Sequence, residues 1–250
     1  MSELVSIVTP IFNASRYIAQ TIESVLAQRY QNWELLLSDD CSTDDSMSIA
    51  KSFQENDDRI KILESRENTG PAGCRNRAIR AASGKYIAFL DSDDLWVPEK
   101  LQLQIQFMQK AGFDLCYSSY RKIDEQGEAI GDPIFGPRSV DYDRLLNSNV
   151  IPCLTTIYNV ERIGKYFMED VGHEDYVYWL RILKDGYTAH GMPNVLAYYR
   201  VRSGSISNNK FKAASFQWKI YRNALNLNVW RSLYHFSIYS FLGLRKHKGF

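Results

Sequence analysis

Short apolar runs and amphipathic stretches take turns through the first 120 residues. Residues 4–8 have the length of a buried strand, and Ile18, Ile22, Val25 and Leu26 then fall on one face of a helix. Asn13 and Ser15 stand where caps for that helix belong. Residues 33–37, 60–63, 86–90 and 113–118 read as further strands, with helices over 44–53 and about 72–82 between them. Gly84 suits a C-cap for the second of these helices, and Pro98 opens another in its first turn.

Beyond Tyr120 the pattern loosens. Residues 122–131 suggest a hairpin or loop, 141–146 a short helix, 154–158 and 195–201 strands, and 174–184 a helix ended by Gly186. From Phe211 the chain becomes helical and aromatic. Strands alternating with helices predict an α/β fold, with a mostly parallel sheet covered on both faces. Ligands of such sheets sit at the carboxyl ends of the strands. The polar clusters 9–13, 39–45 and 91–94 occupy those ends.

Composition adds mainly exclusions. The 250 residues are 45% hydrophobic and 24% charged, enough for a sizeable core. With 30 Lys and Arg against 29 Asp and Glu, no general attraction to nucleic acid is expected. Cys41, Cys74, Cys116 and Cys153 form no CxxC pair and have no histidine cluster, so they read as reduced cysteines of a cytosolic protein. No secretory leader is evident, and no run approaches the ~20 apolar residues needed to span a bilayer.

The acidic strand ends carry the chemistry. Asp91, Asp93 and Asp94 place three carboxylates within four residues, which repel unless a cation or hydrogen bonds compensate them. Magnesium and manganese favour one or two carboxylates completed by substrate phosphates and water. A capped, solvated turn before the Pro98 helix explains the same residues equally well. In the second cluster, Ser42 or Asp44 suits a helix cap, which leaves the adjacent Asp39 and Asp40 unexplained. A carboxylate there can accept from a base imide or a ribose hydroxyl.

Taken in order, these pieces resemble glycosyltransferase family 2, whose catalytic domain has the GT-A fold. The resemblance rests on Val5-Ser6-Ile7-Val8-Thr9-Pro10-Ile11-Phe12-Asn13, on Asp39-Asp40-Cys41-Ser42-Thr43-Asp44, and on Asn68-Thr69-Gly70 leading to Arg75-Asn76. It continues through Gly84 to Asp94 and on to Glu174-Asp175, covering about residues 4 to 200. It implies an inverting transfer from a nucleotide-diphosphate sugar, UDP-linked by expectation, to an acceptor hydroxyl. Thr9 and Ile11 would line the base pocket. Asp40 would face the base with Asp39 in support, Asp91 would lie near the ribose, and Asp93 would hold Mn2+ or Mg2+. Ser92 belongs to the same motif, Asp94 would lie near the sugar or metal shell, and Arg75 near the diphosphate. Asp175 matches the family's general base, with Glu174 orienting the acceptor. Both acids also suit a helix start, where they complement the dipole.

One position departs from the pattern. Where many relatives carry a histidine two residues after Arg200, this chain has Arg202. An arginine cannot ligate a cation but can fork onto phosphate, so Arg202, with Ser203 or Ser205, is expected on the diphosphate. A solvated loop charge is the alternative. His173 reads as a local hydrogen-bond partner.

The expected organisation is a GT-A domain over 1–210, divided into a nucleotide-binding half (1–120) and a smaller, mixed acceptor half (121–210). A helical aromatic extension over 211–250 follows. Its aromatics and basic end suit either a membrane surface or packing against protein, including a homodimer. The resemblance implies a glycan or lipid-linked glycan acceptor, a role in bacterial surface polysaccharide synthesis, and a cytoplasmic place, either free or at the inner membrane face. Two other classes stay open. A nucleotidyltransferase usually shows a glycine-rich loop after the first strand, and residues 9–13 contain no glycine. A non-catalytic nucleotide-sugar scaffold would be expected to lack some of the acidic positions, all of which are present.

Overall fold

The computed structural model describes residues 2–202 and 210–246. The chain runs β1 (Val5–Ile11), α1 (Ile18–Leu26), β2 (Trp33–Asp39), α2 (Ser46–Gln54), β3 (Ile60–Leu63), α3 (Gly70–Ala81) and β4 (Tyr86–Phe89). It continues through β5 (Leu95–Trp96), α4 (Lys100–Ala111), β6 (Leu115–Ile123), β7 (Ala129–Ile134), β8 (Ser139–Val140) and α5 (Tyr142–Asn147). Then come β9 (Ile157–Asn159), α6 (Val160–Ile163), α7 (Glu174–Lys184), β10 (Ala189–Arg200), α8 (Lys210–Lys219) and α9 (Val229–Lys246). A π-helical turn, Ile220–Ala224, joins the last two helices.

Among the described residues ten strands form one sheet, ordered β3-β2-β1-β4-β9-β6-β10-β5, with β7 beside β6 and β8 beside β10. β1 runs parallel to β2 and β4, whereas β9 is antiparallel to both β4 and β6. The sheet is therefore mixed but mostly parallel, as the alternation of strands and helices predicts. Its central strands are buried on both faces, which is why they read as continuous apolar runs. Val8, Leu36, Ile87 and Phe89 pack into one core, against Tyr176, Tyr178 and Trp179 of α7. Ile7, Leu35, Leu37 and Ala88 face the other core, with α1 and α4.

Several local expectations change. Neither Asn13 nor Ser15 caps α1, because Tyr17 holds the cap position without a side-chain bond. Asn13 instead adopts φ 47° and accepts from the Thr43 amide at 2.8 Å, binding the first polar loop to the second. Gly84 does not end α3, whose C-cap is Ala82. A Cβ on Gly84 would meet Leu4 O and Ser6 N at 2.7 Å, so the glycine permits the close approach of β1.

Glu34 holds β1, β2, β3 and the α3–β4 turn together. It accepts from Ser6 Oγ at 2.6 Å, from the amide and hydroxyl of Ser83 at 2.7 Å each, and from Lys61 Nζ at 2.6 Å. Burial alone would raise its carboxyl, but hydrogen bonds from Lys61, Ser6 and Ser83 outweigh burial and hold it at about 2. A depressed folded value contributes stability above the ordinary 4.5, which is lost as pH falls toward about 2. Glu34→Gln is expected to lower unfolding free energy by about 2 kcal/mol at neutral pH. Denaturant melts across pH should show this deficit shrinking below the ordinary carboxylate range. A pH-independent deficit would mean that shape rather than charge matters at this site.

Candidate active site

Strand register builds the rim of the site. Ile11 at the end of β1 pairs with Asp39 at the end of β2, and Val8 pairs with Phe89 at the end of β4. Asp40 and Asp91 therefore emerge from the ends of β2 and β4, the two strands that flank β1. Asp39 turns back on its own loop, its carboxylate accepting from the amides of Cys41 and Ser42 at 3.0 and 3.2 Å. Asp40 Oδ1 accepts from the Thr69 amide at 2.7 Å and from its hydroxyl at 3.1 Å. The paired aspartates thus divide their work, one holding the loop and the other reaching the cavity.

Arg75 lies on the inward face of α3 with Ala72, Ala78 and Ile79, and is 7% exposed. Its guanidinium donates to Asp91 Oδ1 at 2.6 Å and to Glu174 Oε1 at 3.0 Å. Burial would favour the neutral form, but the charges of Asp91 and Glu174 keep this arginine firmly protonated. Glu174 comes within reach because α7 packs directly on β4. The Phe89 ring meets Trp179 edge-on at 5.5 Å and Tyr178 at 5.8 Å. Asn76 fixes the approach to α7 by a reciprocal pair with the Met168 backbone, at 2.8 and 2.7 Å.

Two adjoining cavities open on this wall. One, of 560 Å³, is lined by Ile11, Phe12, Asp40, Ser92, Asp93 and Arg202 among others. The second, of 730 Å³, is lined by Tyr120, Phe135, Asn149, Cys153, His173 and Asp175 among others. Arg75, Asp91, Glu174 and Tyr199 belong to both. A molecule in either cavity therefore touches the same arginine–carboxylate wall.

The acidic turn is held by the last strand. Asp94 is 1% exposed, and its Oδ1 accepts from the Arg200 amide at 2.8 Å. The Arg200 side chain donates to Asp93 O at 2.9 Å, to Asp124 O at 3.1 Å and to Gln20 Oε1 at 2.8 Å. Asp94 thus lies behind the cavity wall, not among its lining residues. Thr9 is likewise buried away from the cavity, with no partner for its hydroxyl. Arg202 Nε pairs with Asp93 Oδ2 at 3.0 Å, while Ser203 and Ser205 lie outside the described residues. His173 meets the Phe216 ring edge-on at 5.5 Å.

Burial, then the neighbouring Asp91, pushes the Asp93 carboxyl above its ordinary value, with Arg202 opposing. Asp175 is also raised, first by burial, against the pull of Arg75 and with a further push from Glu174. A carboxylate so raised is a stronger base than a solvated one.

Among the described residues no three His, Cys, Asp or Glu side chains gather into a metal cage. The donor set fits a divalent cation of another kind, shared with substrate. Asp93 has one carboxylate oxygen on Arg202, faces the cavity, and is crowded by a like charge. One or two carboxylates completed by phosphate oxygens and water are what Mg2+ or Mn2+ requires.

Residues 6–158 match the sequence profile of Glycosyl transferase family 2. The chain belongs to this family. Among curated family 2 relatives, the putative teichuronic acid biosynthesis glycosyltransferase TuaG of Bacillus subtilis is 38% identical over 244 residues, 97% of each chain. The UDP-Glc:alpha-D-GlcNAc-diphosphoundecaprenol beta-1,3-glucosyltransferase WfgD of Escherichia coli is 38% identical over 98% of this chain and 95% of its own. The fold matches S. aureus TarS in complex with UDP, with a TM-score of 0.70 and 20% identity over 98% of this chain and 72% of that one. It also matches the mannosyltransferase PcManGT from Pyrobaculum calidifontis in complex with GDP-Man and Mn2+, with a TM-score of 0.70 and 19% identity over 95% and 69% of the two chains. The expected GT-A architecture is therefore present, and this family 2 member is a glycosyltransferase.

Several aromatic residues that the sequence pattern does not single out also line these cavities. Phe12 and Tyr17 stand in the first cavity, Tyr120 and Phe135 in the second, and Tyr199 in both. Their signal was weak, because aromatics near strand ends usually read as core.

Proposed function

We propose that the chain transfers a hexose, with inversion, from a UDP-linked donor to a hydroxyl of a lipid-diphosphate-linked sugar during surface polysaccharide assembly. The observation that carries this reading is the shared wall. Asp93 lies on one side of it, Asp175 on the other, and Arg75, Asp91 and Glu174 stand between. Direct displacement needs this layout, with the leaving group stabilised in one compartment and the hydroxyl deprotonated in the other. The glucosyltransferase activity of the Escherichia coli relative WfgD, which aligns along nearly the whole chain, supports the donor and acceptor classes.

In this reading the half over 1–120 holds the nucleotide and the half over 121–210 receives the acceptor. Asp40 faces the base across the first cavity, with Ile11 and Phe12 as its apolar wall. Asp91 and Ser92 lie toward the ribose. Arg202, now on Asp93, turns its fork toward the diphosphate as donor enters. Asp93 would hold Mn2+ or Mg2+, which when bound would supply positive charge beside the departing diphosphate. Asp175 takes the acceptor proton, and Glu174, fixed by Arg75, orients that hydroxyl. Asp39 and Asp94 keep the loops in place from behind, and Thr9 lies buried beneath them.

Transfer from labelled UDP-sugars to a diphosphate-linked sugar acceptor tests this function. Chelation is expected to abolish transfer and Mn2+ to restore it, and Mn2+ should tighten UDP-sugar binding by roughly tenfold or more. Asp93→Asn should remove that metal-dependent gain. Donor binding and turnover indifferent to chelator would reject the cation, and failure with every sugar nucleotide would reject the function.

A further inference from the structure

The near-neutral total charge conceals a sharp division. Residues 186–250 contain ten Lys and Arg and no Asp or Glu, leaving 20 basic against 29 acidic residues in the first 185. Within the basic segment α9 carries an outward apolar stripe. Trp230, Leu233, Tyr234 and Phe241 are 78%, 46%, 62% and 58% exposed. Their spacing places them on one helical face, while Ser232 and His235 are buried on the opposite one. Exposed aromatics on a basic helix that lacks acidic residues are the makings of an interfacial helix. No helix among the described residues is long and apolar enough to cross a membrane.

The stripe stands beside the acceptor compartment. His235 Nδ1 meets Asn147 Oδ1 at 2.8 Å, and Arg231 pairs with Asp143, tying α9 to α5. Just beyond α5, Asn149 and Val150 line the acceptor cavity. In α8, Phe216 packs on Gly172 and His173, which line the same cavity.

We infer that the outer face of α9 rests on an anionic bilayer surface and holds the acceptor cavity at the lipid headgroups. The aromatics enter the headgroup layer while the basic residues meet anionic phosphates. A second copy of the chain is the less suitable occupant. A two-fold interface through this helix would offer the basic residues Arg245, Lys246 and Lys248 no acidic residue of the same segment to meet. The purpose of the surface rests on the lipid-linked acceptor proposed above, whereas its support is the stripe and the charge division.

Flotation of the full chain with vesicles tests the assignment. Mixed phosphatidylcholine–phosphatidylglycerol vesicles are expected to bind it at least about tenfold more tightly than phosphatidylcholine alone, with binding weakened by high salt. Trp230→Ser with Phe241→Ser, and separately Arg245→Glu with Lys246→Glu and Lys248→Glu, should each cut vesicle binding about tenfold. Both variants should keep the wild-type unfolding midpoint and their rate on a short-chain, water-soluble acceptor, and lose rate on a vesicle-embedded one. Equal, negligible flotation of an enzyme that still uses the short-chain acceptor overturns the surface and leaves the transferase reading intact. A dimer broken by Trp230→Ser with Phe241→Ser, without vesicle affinity, overturns it in favour of a second copy. Anionic-vesicle binding without transfer to any acceptor upholds the surface and counts against the proposed function.

Discussion

Asp175→Asn is expected to lower kcat about 10³-fold while UDP-sugar affinity stays within about twofold of wild type. The change is nearly isosteric and removes the proton acceptor without disturbing the first cavity, which Asp175 does not line. Its Oδ1 accepts from the Tyr176 amide at 2.8 Å, a bond that an asparagine oxygen can keep, so α7 should start as before. A pH profile adds an independent check. Burial raises the Asp175 carboxyl, so the acid limb of kcat should fall above the usual aspartate range, where protonation silences the base. Isothermal titration with donor and single-turnover transfer separate binding from chemistry. Turnover within tenfold of wild type would remove Asp175 from the reaction.

Arg75→Ala should have the next largest effect, because it acts on both cavities. It leaves Asp91 and Glu174 facing one another without the cation they now share. Removing one member of a buried charge cluster costs about 3–5 kcal/mol. Partial exposure of Asp91 and Glu174 puts the expected loss here toward the lower end, about 3 kcal/mol. The value of kcat/KM should fall by about 10² or more through both donor affinity and acceptor orientation. Arg75→Lys should recover part of the stability but little of the rate, since an ammonium cannot span the two carboxylates as a fork. A KM for acceptor unchanged in both variants would confine Arg75 to the donor side.

The fold was legible where one physical signal dominated. Strands buried on both faces left uninterrupted apolar runs, and α7 showed its extent and closing Gly186 directly. Acidic residues at strand ends marked the rim, because unpaired carboxylates need a reason to gather. What sequence left obscure was direction. Asp39 and Asp40 are neighbours of one chemical type, yet one binds its own loop and the other faces the cavity, a choice fixed by the β1–β2 register. Asp94 looked like part of the metal motif, but contact with β10, 106 residues away, draws it inward. The capping expected of Asn13 failed for a similar reason, since a partner on another loop competed for its side chain.

Arg200 has a consequence for how the enzyme comes into being. The turn that presents Asp93 follows the fourth strand of the chain, yet a residue on the tenth strand ties it down. On a ribosome, the early strands can assemble while this corner still lacks its clasp. Under the proposed function, the site is complete only once the segment through residue 200 has paired beside β6, so a nascent chain would not spend sugar nucleotide before that strand is in place.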